Sequence, residues 1–335
     1  MTMTTTAQAP TPEPILQLAT GFMAAKQLFV ANEIGLFGHL REGPLSLDEL
    51  AQRAAVPKRT TRIVADAMLA LGLLEHNGGR YQNGPVAGTF LSGSGAVDLR
   101  PLLRFWNHIS YPAWLKLEQA VRSGEAQPHD GHFSEEEQRI FSAGVEALTA
   151  GTAQALAGSY DFSSHRRALD LGGGTGSFLI AALTHHPGLN GTLLELPSVT
   201  PVAERRISTE PCAGRVQLVA GDFFTDPIPS DHDVVIVANV AHLFSPARNI
   251  ELLRRTRAAV ADGARLLFVD FWTDPTHTQP AAATLLAGEF LVIAGEGDVY
   301  SEAEVRGWLR EAGWRFVEHS PLDGAASLIV AETAG

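Results

Sequence analysis

The chain of 335 residues contains one cysteine, Cys212, and this scarcity excludes an intrachain disulfide. Basic residues are also few: 25 lysines and arginines stand against 37 aspartates and glutamates, which gives a formal net charge of −12. Phosphate binding needs a basic face, so this composition argues against a nucleic-acid partner.

Long hydrophobic runs are absent as well. The longest apolar stretch, residues 281–294, includes Glu289 and is too short and too polar to span a bilayer. Residues 1–13 have neither the basic start nor the apolar core of a signal peptide, and we expect them to form a disordered tail. With 45% hydrophobic and 19% charged residues, the chain has the composition of a soluble, cytoplasmic globular protein with no membrane partner.

The most informative stretch, residues 166–195, predicts a β-α-β unit. A short apolar run breaks into a glycine-rich turn, a helical pattern follows, and a second apolar run ends on the carboxylate of Glu195. Asp170 stands just before the turn. The ligand crevice of such a unit lies at the carboxyl end of its first strand. Glu195, at the tip of the second strand, is placed to accept both hydroxyls of a ribose.

The glycine turn narrows the class of ligand. Gly172, Gly174 and Gly176 alternate with other residues, and glycine lets the backbone turn sharply and approach a ligand at a helix N-terminus. A dinucleotide fingerprint that starts at Gly172 needs glycine or alanine where this chain has Ser177. The turn is therefore not shaped for a pyrophosphate. A turn that binds nothing, or that binds a nucleotide, is the alternative.

The sequence LDLGGGTG at residues 169–176, followed by LLELP at residues 193–197, resembles the S-adenosylmethionine site of the class I methyltransferases. Along nearly the whole chain it is similar to the plant-type small-molecule O-methyltransferases and their bacterial natural-product relatives. This resemblance implies an α/β fold, a Rossmann-like sheet of seven strands preceded by a mostly α-helical winged-helix dimerisation domain. It also implies S-adenosylmethionine as the cofactor and S-adenosylhomocysteine as its product.

Further cofactor contacts follow the glycine turn. Asp222 ends a predicted strand and is placed to accept from the adenine amino group, while Phe223 packs on the ring. A turn aspartate that caps its neighbours is the alternative for Asp222. By the same resemblance, Leu196 and Asn239 also contact the cofactor, together with Asp170, the three glycines and Glu195.

Residues 14–100 show helices and a hairpin in the order of a winged helix. The dipeptide Asn77-Gly78 predicts the hairpin turn. Basic residues on the second helix, residues 58–71, are typical of a DNA-binding domain. The net negative charge of the whole chain argues against DNA binding. In the family that the chain resembles, this module packs two subunits together, which predicts a homodimer.

Two capping boxes predict helix starts. Ser46 with Glu49, and Ser301 with Glu304, have a serine followed three residues later by glutamate. The helices are therefore expected to begin just after each serine.

Residues 101–160 are predicted to form a helical linker that contributes to the substrate pocket. This part is rich in aromatic residues, which usually serve as core or dimer contacts. The resemblance offers the other interpretation, substrate contacts by Phe105, Trp106, His108 and Trp114, with Phe290 from farther along the chain. A loop in this part also holds His129, Asp130 and His132. Because no second cluster stands at ligand spacing, no metal site is predicted.

Residues 161–335 are expected to form the methyltransferase domain. Its apolar runs predict seven strands with helices between them, the last two pairing as an antiparallel hairpin at the edge of the sheet. The run at residues 233–239 is almost wholly apolar, as is typical of a central parallel strand buried on both faces.

His242 follows this central strand on the expected cofactor side. The segment NVAHLFSPARNIELLRR looks like the family's segment in which a histidine is the general base. By the same resemblance Asp270 orients the imidazole. The position of the family's second carboxylate falls on Val299, and Asp298 beside it is the nearest substitute.

These assignments predict an S-adenosylmethionine-dependent O-methyltransferase that acts on a hydroxyl, most naturally a phenol, of an aromatic natural product. Several neighbours of His242 depart from the family pattern: Ala238, Leu243 and Phe244. Carbon methylation, or another reaction on the same fold, therefore stays open. A winged-helix regulator that senses a small molecule is the alternative from a different class.

Overall fold

The computed structural model describes residues 10–95, 97–125 and 133–334. The loop residues His129, Asp130 and His132 lie outside the described residues. The chain divides into two compact units between Asn107 and His108.

The first unit is helical, with one small hairpin. Its elements are α1 Glu13–Glu33, α2 Leu36–His39, α3 Leu47–Ala54, α4 Lys58–Ala70, β1 Leu74–Asn77, β2 Arg80–Asn83, α5 Pro85–Phe90 and α6 Arg100–Phe105. Strands β1 and β2 pair in antiparallel fashion. Both turn glycines, Gly78 and Gly79, have positive φ, as the predicted hairpin turn requires.

A π-helical turn, Trp106–Ser110, leads into the second unit, where helices alternate with strands. The elements of this unit are α7 Tyr111–Trp114, α8 Leu117–Ser123, α9 Glu135–Ser159, β3 Arg167–Leu171, α10 Ser177–His185, β4 Asn190–Glu195, α11 Thr200–Ile207, β5 Val216–Ala220, β6 Val234–Ala238, α12 Pro246–Ala259, β7 Arg265–Asp270, α13 Ala281–Ile293, α14 Glu302–Glu311, β8 Trp314–Pro321 and β9 Ser327–Thr333.

Seven of these strands form one sheet in the order β5-β4-β3-β6-β7-β9-β8. Strands β3 to β7 run parallel, whereas β9 pairs antiparallel with both β7 and β8. The predicted seven-stranded sheet with an antiparallel closing hairpin is confirmed. Strand order reverses at β3, so a ligand crevice is expected outside the carboxyl ends of β3, β4 and β6.

The hydrophobic core of this unit lies on both faces of the sheet. Alternate residues of each central strand point to opposite sides. In β6, Val234 and Ile236 belong to the cluster beneath α9 and α10, while Val235 and Val237 belong to the cluster beneath α12 and α14. Burial on both faces explains why the sequence of β6 is a continuous apolar run.

Across the described ranges, no helix is long and apolar enough to cross a membrane. Within the same ranges, no group of three or more histidine, cysteine or acidic side chains is arranged to hold a metal ion.

Candidate active site

The candidate site lies at the carboxyl edge of the parallel sheet. Strand β3 carries Asp170 near its end, β4 ends on Glu195 and β7 ends on Asp270. Because parallel strands finish at the same edge, these carboxylates and the loops that follow them share one side of the unit.

The turn between β3 and α10 has the backbone that its glycines permit. Gly172, Gly174 and Gly176 have φ of 67°, 60° and 87°, the left-handed region that favours glycine. A Cβ at Gly174 would meet nothing within 4 Å, whereas one at Gly172 would lie 3.1 Å from the Phe223 ring. The turn is thus open at its middle and closely packed against Phe223 at its start.

Glu195 is buried at the end of β4 and is tied to the glycine turn. The backbone N–H of Gly174 donates to Oε2 over 2.8 Å, and that of Leu196 donates to Oε1 over 2.7 Å. Burial raises the pKa of Glu195, and these two hydrogen bonds oppose the rise. A carboxylate oxygen has two acceptor sites, so each oxygen can still accept a ligand hydroxyl.

Asp170 is fully buried beneath the turn. Neither of its carboxylate oxygens has a hydrogen-bond partner among the described residues. Burial raises the pKa of Asp170 to about 7, and the charge of Glu195 adds to the rise. The Leu179 backbone N–H offsets part of it without reaching hydrogen-bond geometry. The site therefore favours a ligand that brings positive charge or hydrogen-bond donors.

The remaining predicted cofactor residues lie around this turn. Asp222 Oδ1 accepts from the Phe224 backbone N–H at 2.8 Å, so one oxygen caps the turn, as in the alternative interpretation. Phe223 is half-buried against Gly172. Asn239 has a φ of 57°, and its buried Oδ1 has no partner in the described part of the chain.

His242 and Asp270 form a hydrogen-bonded pair. The imidazole Nδ1 lies 2.7 Å from Asp270 Oδ1, and both side chains are buried. The carboxylate is itself fixed, because the backbone N–H of Phe271 donates to Oδ1 and that of His242 donates to Oδ2. An ionised carboxylate only accepts, so Nδ1 carries the proton and Nε2 presents a lone pair.

Aromatic rings support the imidazole. The Phe290 ring from α13 stacks on His242 with centroids 3.9 Å apart and planes 14° from parallel, and Phe271 lies 5.7 Å away. Asp298 is exposed and accepts from the Val299 backbone N–H, while Val299 itself is buried. The imidazole thus has one carboxylate partner, Asp270, among the interactions that the structure describes.

The predicted substrate residues before the sheet fall in both units. In the first unit, Phe105 is buried at the end of α6, and Trp106 is 36% exposed at the start of the π-helical turn. In the second unit, His108 is exposed and Trp114 donates from Nε1 to Oε2 of Glu289. Substrate contact by these four residues stays a prediction.

Sequence analysis missed two polar contributors. Arg206 of α11 donates to Thr175 Oγ1 and Ser177 Oγ, both at 2.7 Å, and so fixes the far side of the glycine turn. Glu289 of α13 is buried and accepts from Ser110 Oγ at 2.8 Å as well as from Trp114. Burial raises the pKa of Glu289, against the lowering effect of these two hydrogen bonds.

The donor and acceptor groups at the turn fit S-adenosylmethionine. Glu195 can accept two ribose hydroxyls, and the unpaired carboxylate of Asp170 suits a ligand with positive charge. Gly174 leaves the backbone open to close approach. Asp222 and Phe223 have the chemistry for the adenine edge and face.

Fold and site together define a class I methyltransferase dependent on S-adenosylmethionine. Residues 114–315, more than half of the chain, match the model of the O-methyltransferase domain, and residues 16–93 match that of the O-methyltransferase dimerisation domain. The chain belongs to this O-methyltransferase family.

Individual relatives differ in their acceptors. The chain is 35% identical over 308 residues to a 3-hydroxy-5-methyl-1-naphthoate 3-O-methyltransferase from Streptomyces sahachiroi, covering 90% of this chain and 89% of that protein. It is 32% identical over 333 residues to the N,N-dimethyltransferase OxyT from Streptomyces rimosus, covering 96% of each. Human N-acetylserotonin methyltransferase, solved with S-adenosylmethionine, superposes with a TM-score of 0.90 at 26% identity, covering 99% of this chain and all of that one.

Proposed function

We propose that the chain methylates a phenolic hydroxyl of an aromatic natural product, with His242 as the general base. The observation that carries this proposal is the buried pair of His242 and Asp270, whose geometry leaves Nε2 as a hydrogen-bond acceptor. A phenol has a pKa near 10, so a positioned base promotes the reaction of its oxygen.

When bound, S-adenosylmethionine supplies an electrophilic methyl group. The protein's own task is to hold an acceptor oxygen beside that group and to take its proton at Nε2 of His242. The developing imidazolium is stabilised by Asp270, which lies 2.7 Å from Nδ1. Phe290 fixes the plane of the imidazole, so the base is oriented before the acceptor binds.

Product analysis tests this proposal. The enzyme is incubated with S-adenosylmethionine and a panel of naphthols, hydroxynaphthoates and aminonaphthols, and each product is examined by mass spectrometry and NMR. We expect a mass gain of one methylene and an aryl methyl ether signal. Methyl signals on nitrogen alone, or on ring carbon alone, would instead assign the enzyme to amines or to activated rings.

A DNA-binding regulator is the less favoured alternative. Two basic residues of α4 are engaged in ion pairs, Lys58 with Asp48 at 2.7 Å and Arg62 with Asp66 at 2.8 Å. These pairs neutralise part of the surface that a DNA reader would present to phosphates.

The proposed enzyme is a homodimer that associates through α1. Five apolar side chains in the N-terminal half of this helix are exposed: Ile15, Leu16, Leu18, Phe22 and Met23. Leu18 is 84% exposed in the single chain, and a contiguous apolar surface of this kind is typical of a protein contact.

We expect light scattering after size exclusion to give twice the chain mass for the wild type. The double variant Leu18→Asp and Phe22→Asp should raise the dimer Kd by roughly 100-fold or more, because it places charges in an apolar contact. Gln52→Asp, at an exposed position of α3, is the matched control. A single-chain mass for the wild type at micromolar concentration would contradict the dimer.

A further inference from the structure

Glu289 is a buried carboxylate that the mechanism above does not use. It is the one charged residue of α13, and its side chain accepts from two donors, Ser110 Oγ and Trp114 Nε1, which both bond to Oε2. The other oxygen, Oε1, is buried and has no hydrogen-bond partner among the described residues. One oxygen is thus held in place while the other is left for a further donor.

The helix that carries this carboxylate packs on the catalytic histidine. Phe290, the next residue, stacks on the His242 imidazole. On the other side, Gly288 packs so closely on Trp114 that a Cβ there would lie 2.8 Å from the indole ring. Glu195 and Asp170, by contrast, stand at the glycine turn on β4 and β3. Glu289 therefore lies on α13 between the residue that contacts Trp114 and the residue that stacks on His242.

The hydrogen bonds fix the role of Oε2. The Trp114 indole N–H can only donate, so Oε2 must be an acceptor. An ionised Glu289 then presents Oε1 as a second acceptor of negative charge in a buried position. Such an oxygen attracts a hydroxyl or amino group and repels a carboxylate.

On the basis of the proposed function, we infer that Glu289 is a specificity-determining residue of the acceptor pocket. It selects aromatic acceptors that carry a hydroxyl or amino group in addition to the hydroxyl that is methylated, and it rejects acceptors that carry a carboxylate there. Ser110 and Trp114 orient it through Oε2, so the selecting oxygen is fixed before the acceptor arrives.

The test compares three matched probes, applied as sets of positional isomers: a naphthol, the same naphthol with an amino group, and the same naphthol with a carboxylate. Both kcat/KM for methylation and the dissociation constant in the presence of S-adenosylhomocysteine are measured. For the isomer that the wild type uses best, we expect the amino probe to be preferred over the carboxylate probe by roughly 10- to 100-fold, the effect of one hydrogen bond to a charged group.

Glu289→Gln replaces the hydrogen-bond acceptor Oε1 with a hydrogen-bond donor. The amide oxygen can accept from Ser110 and Trp114, which leaves the amide nitrogen as a donor in the place of Oε1. The preference for the amino probe should fall by at least about tenfold, and binding of the carboxylate probe should tighten. Glu318→Gln, an exposed glutamate on β8, is the matched control and should keep the wild-type ratio.

Trp114→Phe is a second variant, which removes one donor to Oε2 and leaves the carboxylate. It should reduce the discrimination without reversing it. Equal affinities for the amino and carboxylate probes in the wild type, or an unchanged ratio in folded Glu289→Gln, would overturn the inference. Because affinities are measured apart from turnover, probes that bind in the expected order without being methylated would support the role of Glu289 while refuting the proposed phenol chemistry.

Discussion

Replacing His242 with alanine is expected to lower kcat by about 10² to 10⁴, the usual contribution of a positioned general base. The imidazole is the group whose Nε2 is free to accept a proton, because Nδ1 is bonded to Asp270. The glycine turn and Glu195 are separate from it, so affinity for S-adenosylhomocysteine should change by less than about twofold. Single-turnover kinetics with a phenolic acceptor measures the first effect, and calorimetry measures the second.

The matched variant for this experiment is Asp270→Asn. The wild-type carboxylate accepts from the Phe271 and His242 backbone N–H groups as well as from the imidazole. Asparagine of the same size has one acceptor oxygen and so cannot satisfy all three donors. The imidazole is then released or bonded in its other tautomer, with the proton on Nε2, which cannot act as a base.

These two substitutions should not be additive. The double variant of His242→Ala with Asp270→Asn should be no slower than His242→Ala alone, because Asp270 acts through the imidazole. Full activity of His242→Ala at neutral pH would show that proximity alone, without base catalysis, accounts for turnover.

Much of the fold could be predicted from the sequence, because the patterns that specify its strands and helix starts are local. The predicted strand at residues 233–239 is observed as Val234–Ala238. Both capping boxes form, with Ser46 bonded to Glu49 and Ser301 to Glu304. A third box, at Ser134 and Glu137, was missed although it has the same spacing.

Only part of the candidate site could be predicted from the sequence. Asp170 and Glu195 stand at strand ends next to a glycine turn, so local sequence was sufficient to single them out. The partners of Glu289 are different, because Ser110 lies 179 residues away along the chain. A lone acid in an apolar helix gives no sign of which donors will reach it. Arg206 is similar, since its bonds to Thr175 and Ser177 depend on how α11 packs.

Some of the sequence-based predictions concern features that the structure does not test. The domain boundaries, the acceptor contacts of Phe105, Trp106 and His108, and the cytoplasmic location stay predictions. The acceptor contacts could not be predicted from the sequence, because aromatic side chains serve equally as core, as subunit contact and as pocket wall. Only a bound acceptor distinguishes these roles.

The largest effect on cofactor binding is expected from Glu195→Ala. Each hydrogen bond from a ribose hydroxyl to this carboxylate is worth roughly 1.5 to 3 kcal/mol, so losing two should raise the Kd for S-adenosylhomocysteine by about 10² to 10⁴. The variant also frees the Gly174 and Leu196 backbone N–H groups that Glu195 holds, which loosens the glycine turn. Isothermal titration calorimetry measures the change.

Two comparison variants accompany this test. Glu195→Gln keeps the size of the side chain and one acceptor oxygen, so it can retain one of the two backbone hydrogen bonds and one ribose contact. Its Kd should fall between those of the wild type and Glu195→Ala. Glu204→Gln, on the exposed face of α11, should leave the Kd unchanged. If Glu195→Ala bound as tightly as the wild type, the ribose would be held by other groups. If Glu195→Gln were as weak as Glu195→Ala, the negative charge rather than the number of acceptors would determine affinity.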